Sequence, residues 1–318
     1  MMPPLVSILI PCYNAAPWLT ATLESALAQT WPQKEIIVVN DGSTDQSLAL
    51  ARPFSERGVK IIEQPNRGAA AARNAALGAA GGDFVQFLDA DDLLAPEKIA
   101  RQMAVLTAEP KGAIASGPWG SFTDEPGHAV FHTKPVWADL TPVDWLVRSW
   151  SGGGMFPPLV WLAPRDVLAA AGPWNEALTL DDDGEYFTRV LLHAAGIRFV
   201  PGAASYYRAH TGPRISAARG ERAARSSFAS CESKERQLLA AENSPRVREA
   251  IGCNWQRFAW EQMAAAPGLA AMAIKHARKL APDLPPPKGS RSYRLAAKVL
   301  GWTRARKLQL AVQELIHR

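Results

Sequence analysis

Four short apolar runs, each halted by turn-forming or acidic residues, constrain the fold of this chain more than any other feature. They are "LVSILI" (5–10), "EIIVV" (35–39), "VKII" (59–62) and "DFVQFL" (83–88). Between them lie stretches with helical spacing: "APWLTATLESALAQ" (16–29), a helix expected to begin near Ser43-Thr44, and the Ala-rich "RGAAAARNAALGAA" (67–80). Strands covered by helices on both faces read as near-continuous apolar runs, so this alternation predicts a doubly wound, mostly parallel α/β sheet.

Beyond residue 110 the pattern loosens. Pro/Gly turns interrupt short strands, "DGEYFTRVLLHAAG" (183–196) reads as a helix with Gly196 near its C-cap, and "IRFV" and "ASYYRAH" read as strands. From about Arg219 the sequence becomes Ala/Arg/Glu/Leu-rich and helical. That change places a boundary near 216, between an α/β domain over 1–215 (halves at about 1–110 and 111–215) and a helical region over 216–318. Pro/Gly-rich "APDLPPPKGS" (281–290) sets off a final basic helix.

With 47% hydrophobic and 20% charged residues, the composition is that of a soluble chain with a substantial core. A net charge of +5 falls well short of a nucleic-acid-binding domain, and suits an anionic small substrate or an anionic membrane surface. Cys12, Cys231 and Cys253 show no metal-ligand spacing and imply a reduced, cytoplasmic compartment. The opening "MMPPLVSILIPCYN" lacks the basic flank of a signal peptide, and no stretch reaches eighteen consecutive apolar residues.

In parallel α/β sheets ligands bind beyond the carboxyl ends of the strands. The residues there are "PCYN" (11–14), "NDGSTD" (40–45) and "DADD" (89–92). Neither a dinucleotide-binding G-x-G-x-x-G after the first strand nor a P-loop is present. Taken singly, each motif has an ordinary structural explanation: "NDGSTD" as a turn with a helix cap, "DADD" as a solvated turn, Arg73 as a surface arginine. Asp89, Asp91 and Asp92 repel one another, however, unless water or a cation sits among them. A second acidic stretch, "TLDDDGEYFTRV" (179–190), either complements a helix dipole or supplies a general base. Six tryptophans lie between the two clusters, among them Trp150 and Trp161, and their faces suit a sugar ring as well as a core. Gly152, Gly153 and Gly154 could hinge a lid or form a plain loop.

The stretches "VSILIPCYNAAPWLTATLESALAQTW", "IIVVNDGSTD", "QPNRGAAAARNAAL" and "FVQFLDADD", in this order and spacing, resemble the inverting glycosyltransferases of family 2, which have the GT-A fold. The resemblance covers roughly residues 4–215 and is most specific in the first hundred. It implies a nucleotide-sugar donor, UDP-linked first, bound by Pro11, Tyr13, Asn14, Asp41, Arg73, Asp89 and Ala90. It implies a D-x-D element in which Asp91, with Asp89, holds Mn2+ or Mg2+, assisted by His210, while Arg208 and Arg214 reach the diphosphate. Asp182-Asp183-Gly184-Glu185 matches the family's E-D-x-[DE] element except that Asp182 replaces the usual Glu, which leaves the base open among Asp183, Asp182 and Glu185; Asp183 is our choice. Trp150 and Trp161 are the candidate acceptor platform.

The expected activity is metal-dependent sugar transfer to a saccharide or lipid-linked saccharide, in bacterial surface-glycan synthesis. An inactive sugar-nucleotide-binding scaffold is the alternative. A sugar-1-phosphate nucleotidyltransferase fits less well, because "IPCYNAAPW" is not a Gly-rich phosphate loop. The last segment, "RSYRLAAKVLGWTRARKLQLAVQELIHR", is basic and amphipathic. It either packs on its own or a sister chain or touches the inner membrane face peripherally.

Overall fold

In the computed structural model, which describes residues 2–108, 111–154, 156–209 and 220–316, the four apolar runs form β1 (Val6–Cys12), β2 (Lys34–Asp41), β3 (Val59–Gln64) and β4 (Phe84–Phe87). Shorter strands follow: β5 (Leu93–Leu94), β6 (Ala113–Ser116), β7 (Trp119–Phe122), β8 (Val130–Phe131), β9 (Ala163–Pro164), β10 (Gly196–Phe199) and β11 (Ser205–Arg208). The main sheet has the order β3-β2-β1-β4-β9; its first four strands are parallel and β9 runs antiparallel to β4. A parallel β6–β10 pair and a mixed sheet β5-β11-β7-β8 complete the α/β part.

Helices α1 (Leu19–Leu27), α2 (Ser47–Ala51), α3 (Ala69–Ala79), α4 (Lys98–Leu106), α5 (Pro142–Arg148), α6 (Arg165–Ala171) and α7 (Asp182–His193) cover the sheets. Successive strand residues point to opposite faces, and the core divides accordingly. Ile8 and Ile10 of β1 pack with Leu19 and Leu23 of α1 and Ile99 and Met103 of α4. Leu9 joins the other layer, with Ala72 and Ala76 of α3. Alanines at those positions let α3 lie close on β1 and β2, which brings Arg73 to the carboxyl edge of the sheet.

Three local expectations are corrected. The helix after β2 starts at Ser47, not near Ser43-Thr44, because Ser43 Oγ and the Thr44 N–H and hydroxyl bond Asn14 of the neighbouring loop. Helix α7 ends at His193, with extended Ala194 at its C-cap, so Gly196 opens β10. The final basic helix is two helices, Arg291–Leu300 and Trp302–Ile316, broken at Gly301, whose φ of 77° is left-handed.

The C-terminal helices are α8 (Glu221–Ala241), α9 (Pro245–Gln262), α10 (Pro267–Leu280), α11 (Arg291–Leu300) and α12 (Trp302–Ile316). Phe228, Leu238, Ile251, Trp255 and Phe258 belong to the same hydrophobic cluster as Phe87, Tyr186 and Phe187. Packing is therefore continuous across the change in composition, and α8–α10 share a core with the sheet. Among the described residues no helix is long and apolar enough to cross a membrane.

Candidate functional site

Parallel pairing sets the ends of β1, β2 and β4 at one edge, and the loops leaving β1 and β2 interlock there. Asn14 takes a left-handed φ of 49°, which its short side chain tolerates. Its Oδ1 accepts from Thr44 N at 2.8 Å, while its own N–H donates to Ser43 Oγ at 3.1 Å. Ala15 N donates to Ser47 Oγ and Ala16 N to Asp45 Oδ2. Asp41 is buried, and its carboxylate accepts from Gln64 Nε2 (2.7 Å), Arg67 N (2.9 Å) and Gly68 N (2.8 Å), fixing the loop into α3. Gly42 is required beside it: a Cβ there would lie 2.7 Å from Asn66 N at a φ of +68°. Pro11 and Ala90 are buried in the same edge, and Tyr13, 49% exposed, presents its ring to solvent.

Two acidic clusters face each other across Arg73. From α3 this buried guanidinium donates to Asp89 Oδ1 (2.8 Å) and Asp182 Oδ2 (2.9 Å), with its carbon 4.5 Å from the centre of the Trp174 ring. Burial alone would lower its pKa, but Asp89 and Asp182 outweigh that and raise it. Arg73, expected beside the base or the diphosphate, is placed as an internal strut between the end of β4 and the start of α7.

Within the first cluster the three acids differ. Asp89 and Asp91 are partly exposed, whereas Asp92 is 1% exposed and accepts from Arg208 N at 2.8 Å. Burial, then Asp91 and Asp89, holds the Asp92 carboxyl well above the usual carboxylate range. The Arg208 side chain does not reach outward for a diphosphate, as its sequence position had implied. It is buried, donating to the carbonyls of Asp91 (2.8 Å) and Thr123 (3.2 Å) over the Phe122 ring, so it braces the acidic turn. His210 and Arg214 lie outside the described residues.

The start of α7 is organised from both sides. Asp181 has a left-handed φ of 60° and is bonded by Ser230 Oγ (2.7 Å) and by the buried Lys234 ammonium, both from α8. Asp182 is paired with Arg73. Glu185 is bonded by Arg189 (2.9 and 3.0 Å) and by Ser233 Oγ (2.9 Å). Asp183 accepts from Gly184 N at 2.8 Å and, among the described residues, forms no ion pair. Burial, followed by Asp182 and Asp181, pushes it up to about 7. A Cβ at Gly184 would lie 2.2 Å from Asp181 Oδ1, so a larger residue there would displace the carboxylate that Ser230 and Lys234 hold.

The sequence reading missed Asp181 and its α8 partners. Ser226, Ser230 and Ser233 recur at helical spacing beside Lys234, and that polar stripe in an otherwise apolar-faced helix is the signal that was available. Ser226 Oγ accepts from the N–H groups of Thr179 and Leu180, so α8 holds the whole approach to α7.

The tryptophan platform is also corrected. Trp150 and Trp161 are 7% and 1% exposed, and Trp161 stacks on Phe187 at 5.7 Å, so neither offers a face to a ligand. An open hollow of about 650 Å3 lies instead between residues 175–179 and the first turns of α8, lined by Thr179, Arg222 and Arg225 among others.

Among the described residues no three His, Cys, Asp or Glu side chains form a metal cage of their own. Two partly exposed carboxylates, Asp89 and Asp91, at the end of a strand still fit a hard cation. Such ions need one or two protein carboxylates and complete their shell with substrate phosphates and water.

Residues 7–145 match the family model described as Glycosyl transferase family 2. Over 129 residues the chain is 37% identical to Glycosyltransferase GlyA of Streptococcus pneumoniae serotype 4; the match covers 40% of this chain and only 18% of that protein's length. Among solved structures, S. aureus TarS 1-349 in complex with UDP-GlcNAc superposes with a TM-score of 0.62 at 18% identity, covering 87% of this chain and 90% of that one. Mannosyltransferase PcManGT from Pyrobaculum calidifontis, in complex with GDP-Man and Mn2+, superposes with a TM-score of 0.55 at 20% identity, covering 97% and 87%. At these identities what is shared with the two structures is the fold, of GT-A type.

Proposed function

We propose that this chain, whose residues 7–145 match the family model described as Glycosyl transferase family 2, transfers a sugar from a nucleotide-sugar donor to a hydroxyl acceptor, inverting the anomeric carbon. The observation that supports this reading most is the state of Asp183. Asp182 and Glu185 are held by arginines, while Asp183 is partly open, has no ion pair among the described residues, and is pushed up to about 7. A carboxylate in that state takes a proton near neutral pH far better than an ordinary aspartate.

Asp183 accepts the acceptor hydroxyl's proton as that oxygen bonds to the anomeric carbon, and the bond to the diphosphate breaks with its electron pair leaving on the phosphate oxygen. Asp91, with Asp89, would hold Mn2+ or Mg2+, which when bound supplies charge neutralisation for the leaving diphosphate. Tyr13 offers its exposed ring to the base, while Pro11, Asn14, Asp41 and Ala90 shape the loops around it. A UDP-sugar is the first donor to test, because TarS is complexed with UDP-GlcNAc; GDP-linked mannose, bound by PcManGT, is the second. The acceptor class we assign is a saccharide or lipid-linked saccharide of surface-glycan synthesis.

Thermal unfolding with UDP, GDP and dTDP, each with Mn2+ and again with excess EDTA, tests the donor site. At about a hundred times its Kd a nucleotide adds roughly 2.7 kcal/mol. A metal-dependent shift that Asp91→Ala loses and Asp183→Asn retains is the expected result. No shift with any nucleotide would sink the donor assignment.

A further inference from the structure

The α11–α12 pair is docked by one face and bare on another. Tyr293, Ala297 and Ala305 form its inner contact with Trp260 of α9. The Tyr293 and Trp260 rings meet at 4.8 Å, and the Arg306 guanidinium lies 4.1 Å over Trp260. Exposed residues elsewhere on the pair include Leu295 (59%), Val299 (83%), Leu308 (52%), Val312 and Leu315 (73%). Their i, i+4 and i, i+4, i+7 spacing makes a stripe on each helix. Such an apolar face, without a partner among the described residues, is unfavourable in water and marks an interaction surface.

The cations around it indicate what that surface meets. Arg291, Arg294, Lys298, Arg304 and Lys307 are all exposed and interleaved with the apolar stripe. Residues 275–318 carry eleven Lys/Arg against two Asp/Glu, whereas residues 1–274 carry twenty-four against twenty-eight. The chain's positive charge is therefore concentrated in the segment that exposes its aliphatic side chains. A second copy docking face to face would bring like charges together. A bilayer of anionic lipids complements both features, with phosphates for the cations and the acyl boundary for the leucines and valines.

We propose that the outer face of α11–α12 is a docking surface for an anionic membrane, set apart from the donor site and holding the catalytic edge near lipid-anchored substrates. The test is flotation of the full chain with vesicles of phosphatidylglycerol and phosphatidylcholine, and with phosphatidylcholine alone. Binding should require the anionic lipid and fall about tenfold or more between about 0.1 M and about 1 M salt, as the Debye length shrinks. Val299→Glu with Leu308→Glu, and separately Arg294→Glu with Lys298→Glu, should each lower it at least about tenfold. The melting midpoint and any nucleotide-dependent shift should stay at parent values, which separates this proposal from the donor reading. No flotation, equal binding to neutral vesicles, or undiminished binding by both double variants would overturn it. So would a concentration-dependent dimer in sedimentation that Val299→Glu abolishes, since a second copy would then be the occupant.

Discussion

The turn after β4 and the start of α7 each gather three aspartates, and desolvation raises Asp92 in the first and Asp183, with Asp182, in the second, yet Asp92 and Asp183 have opposite prospects. Asp92 is sealed: Arg208 N bonds one oxygen, and the other has, among the described residues, neither a hydrogen-bond partner nor solvent contact. Asp183 keeps part of its surface open, beside Asp182 on its arginine strut. Desolvation raises both, but only the second can meet a substrate hydroxyl. A perturbed pKa thus marks a candidate base only when the proton also has a route in.

Breaking the reachable acid should have the largest effect. Asp183→Asn is expected to lower turnover by about a thousandfold, the middle of the range for losing a general acid–base group, measured as acceptor-dependent release of nucleoside diphosphate. In the parent, the rate should rise as pH passes through about 7 and level off above, following the ionised form. Stability should run the other way. The folded pKa lies above the ordinary value of 3.8, so the folded chain holds the extra proton between these limits and loses stability as pH rises through that window. At about pH 8, Asp183→Asn should therefore unfold later than the parent, by about 2 kcal/mol. A variant both inactive and less stable would point to a structural role instead.

Next in size is the strut shared by the two clusters. Arg73→Met leaves Asp89 and Asp182 facing each other with no cation between them, and removing one partner of a buried pair costs about 3 kcal/mol or more. Urea unfolding reads this directly, and an unchanged midpoint would show that the clusters do not depend on the strut. The α8 contact is smaller. Lys234 is buried, but its partner Asp181 has a third of its side chain exposed, so Lys234→Met should cost only about 1–2 kcal/mol after screening. Losing that positive charge should also move the midpoint of the pH–rate curve upward. If the curve stayed in place, α8 would be a passive wall.

What could be read in advance from the sequence was local. Near-continuous apolar runs, an Ala-rich helix and acids at strand ends are properties of neighbouring residues, and the four parallel strands of the main sheet and both acidic clusters follow from them. Which acid in each cluster is engaged is decided by distant partners: Arg208 is 116 residues from Asp92, and Lys234 is 53 from Asp181. No spacing rule reaches that far. Trp150 and Trp161 failed for the same reason, since burial is a property of the assembled core. The merging of α8–α10 into that core was hidden because a change in composition looks like a boundary even where packing is continuous.

The smallest expected effect is the sharpest check on the comparison. Asp92→Asn makes the same change as Asp183→Asn, at a group whose carboxyl is held well above the usual carboxylate range by burial and by Asp91 and Asp89. The amide keeps an acceptor for Arg208 N and carries none of the charge that burial disfavours there, so stability should fall by less than about 1 kcal/mol. Turnover should stay within about threefold of the parent, because no reacting group is lost and the turn keeps its brace. Asp92→Ala, which removes that acceptor and leaves the Arg208 N–H buried and unsatisfied, should cost about 1–3 kcal/mol. Were Asp92→Asn to fall as far as Asp183→Asn, the sealed acid would be ionised in the working enzyme, and the division between a structural and a chemical aspartate would have to be redrawn around the β4 turn.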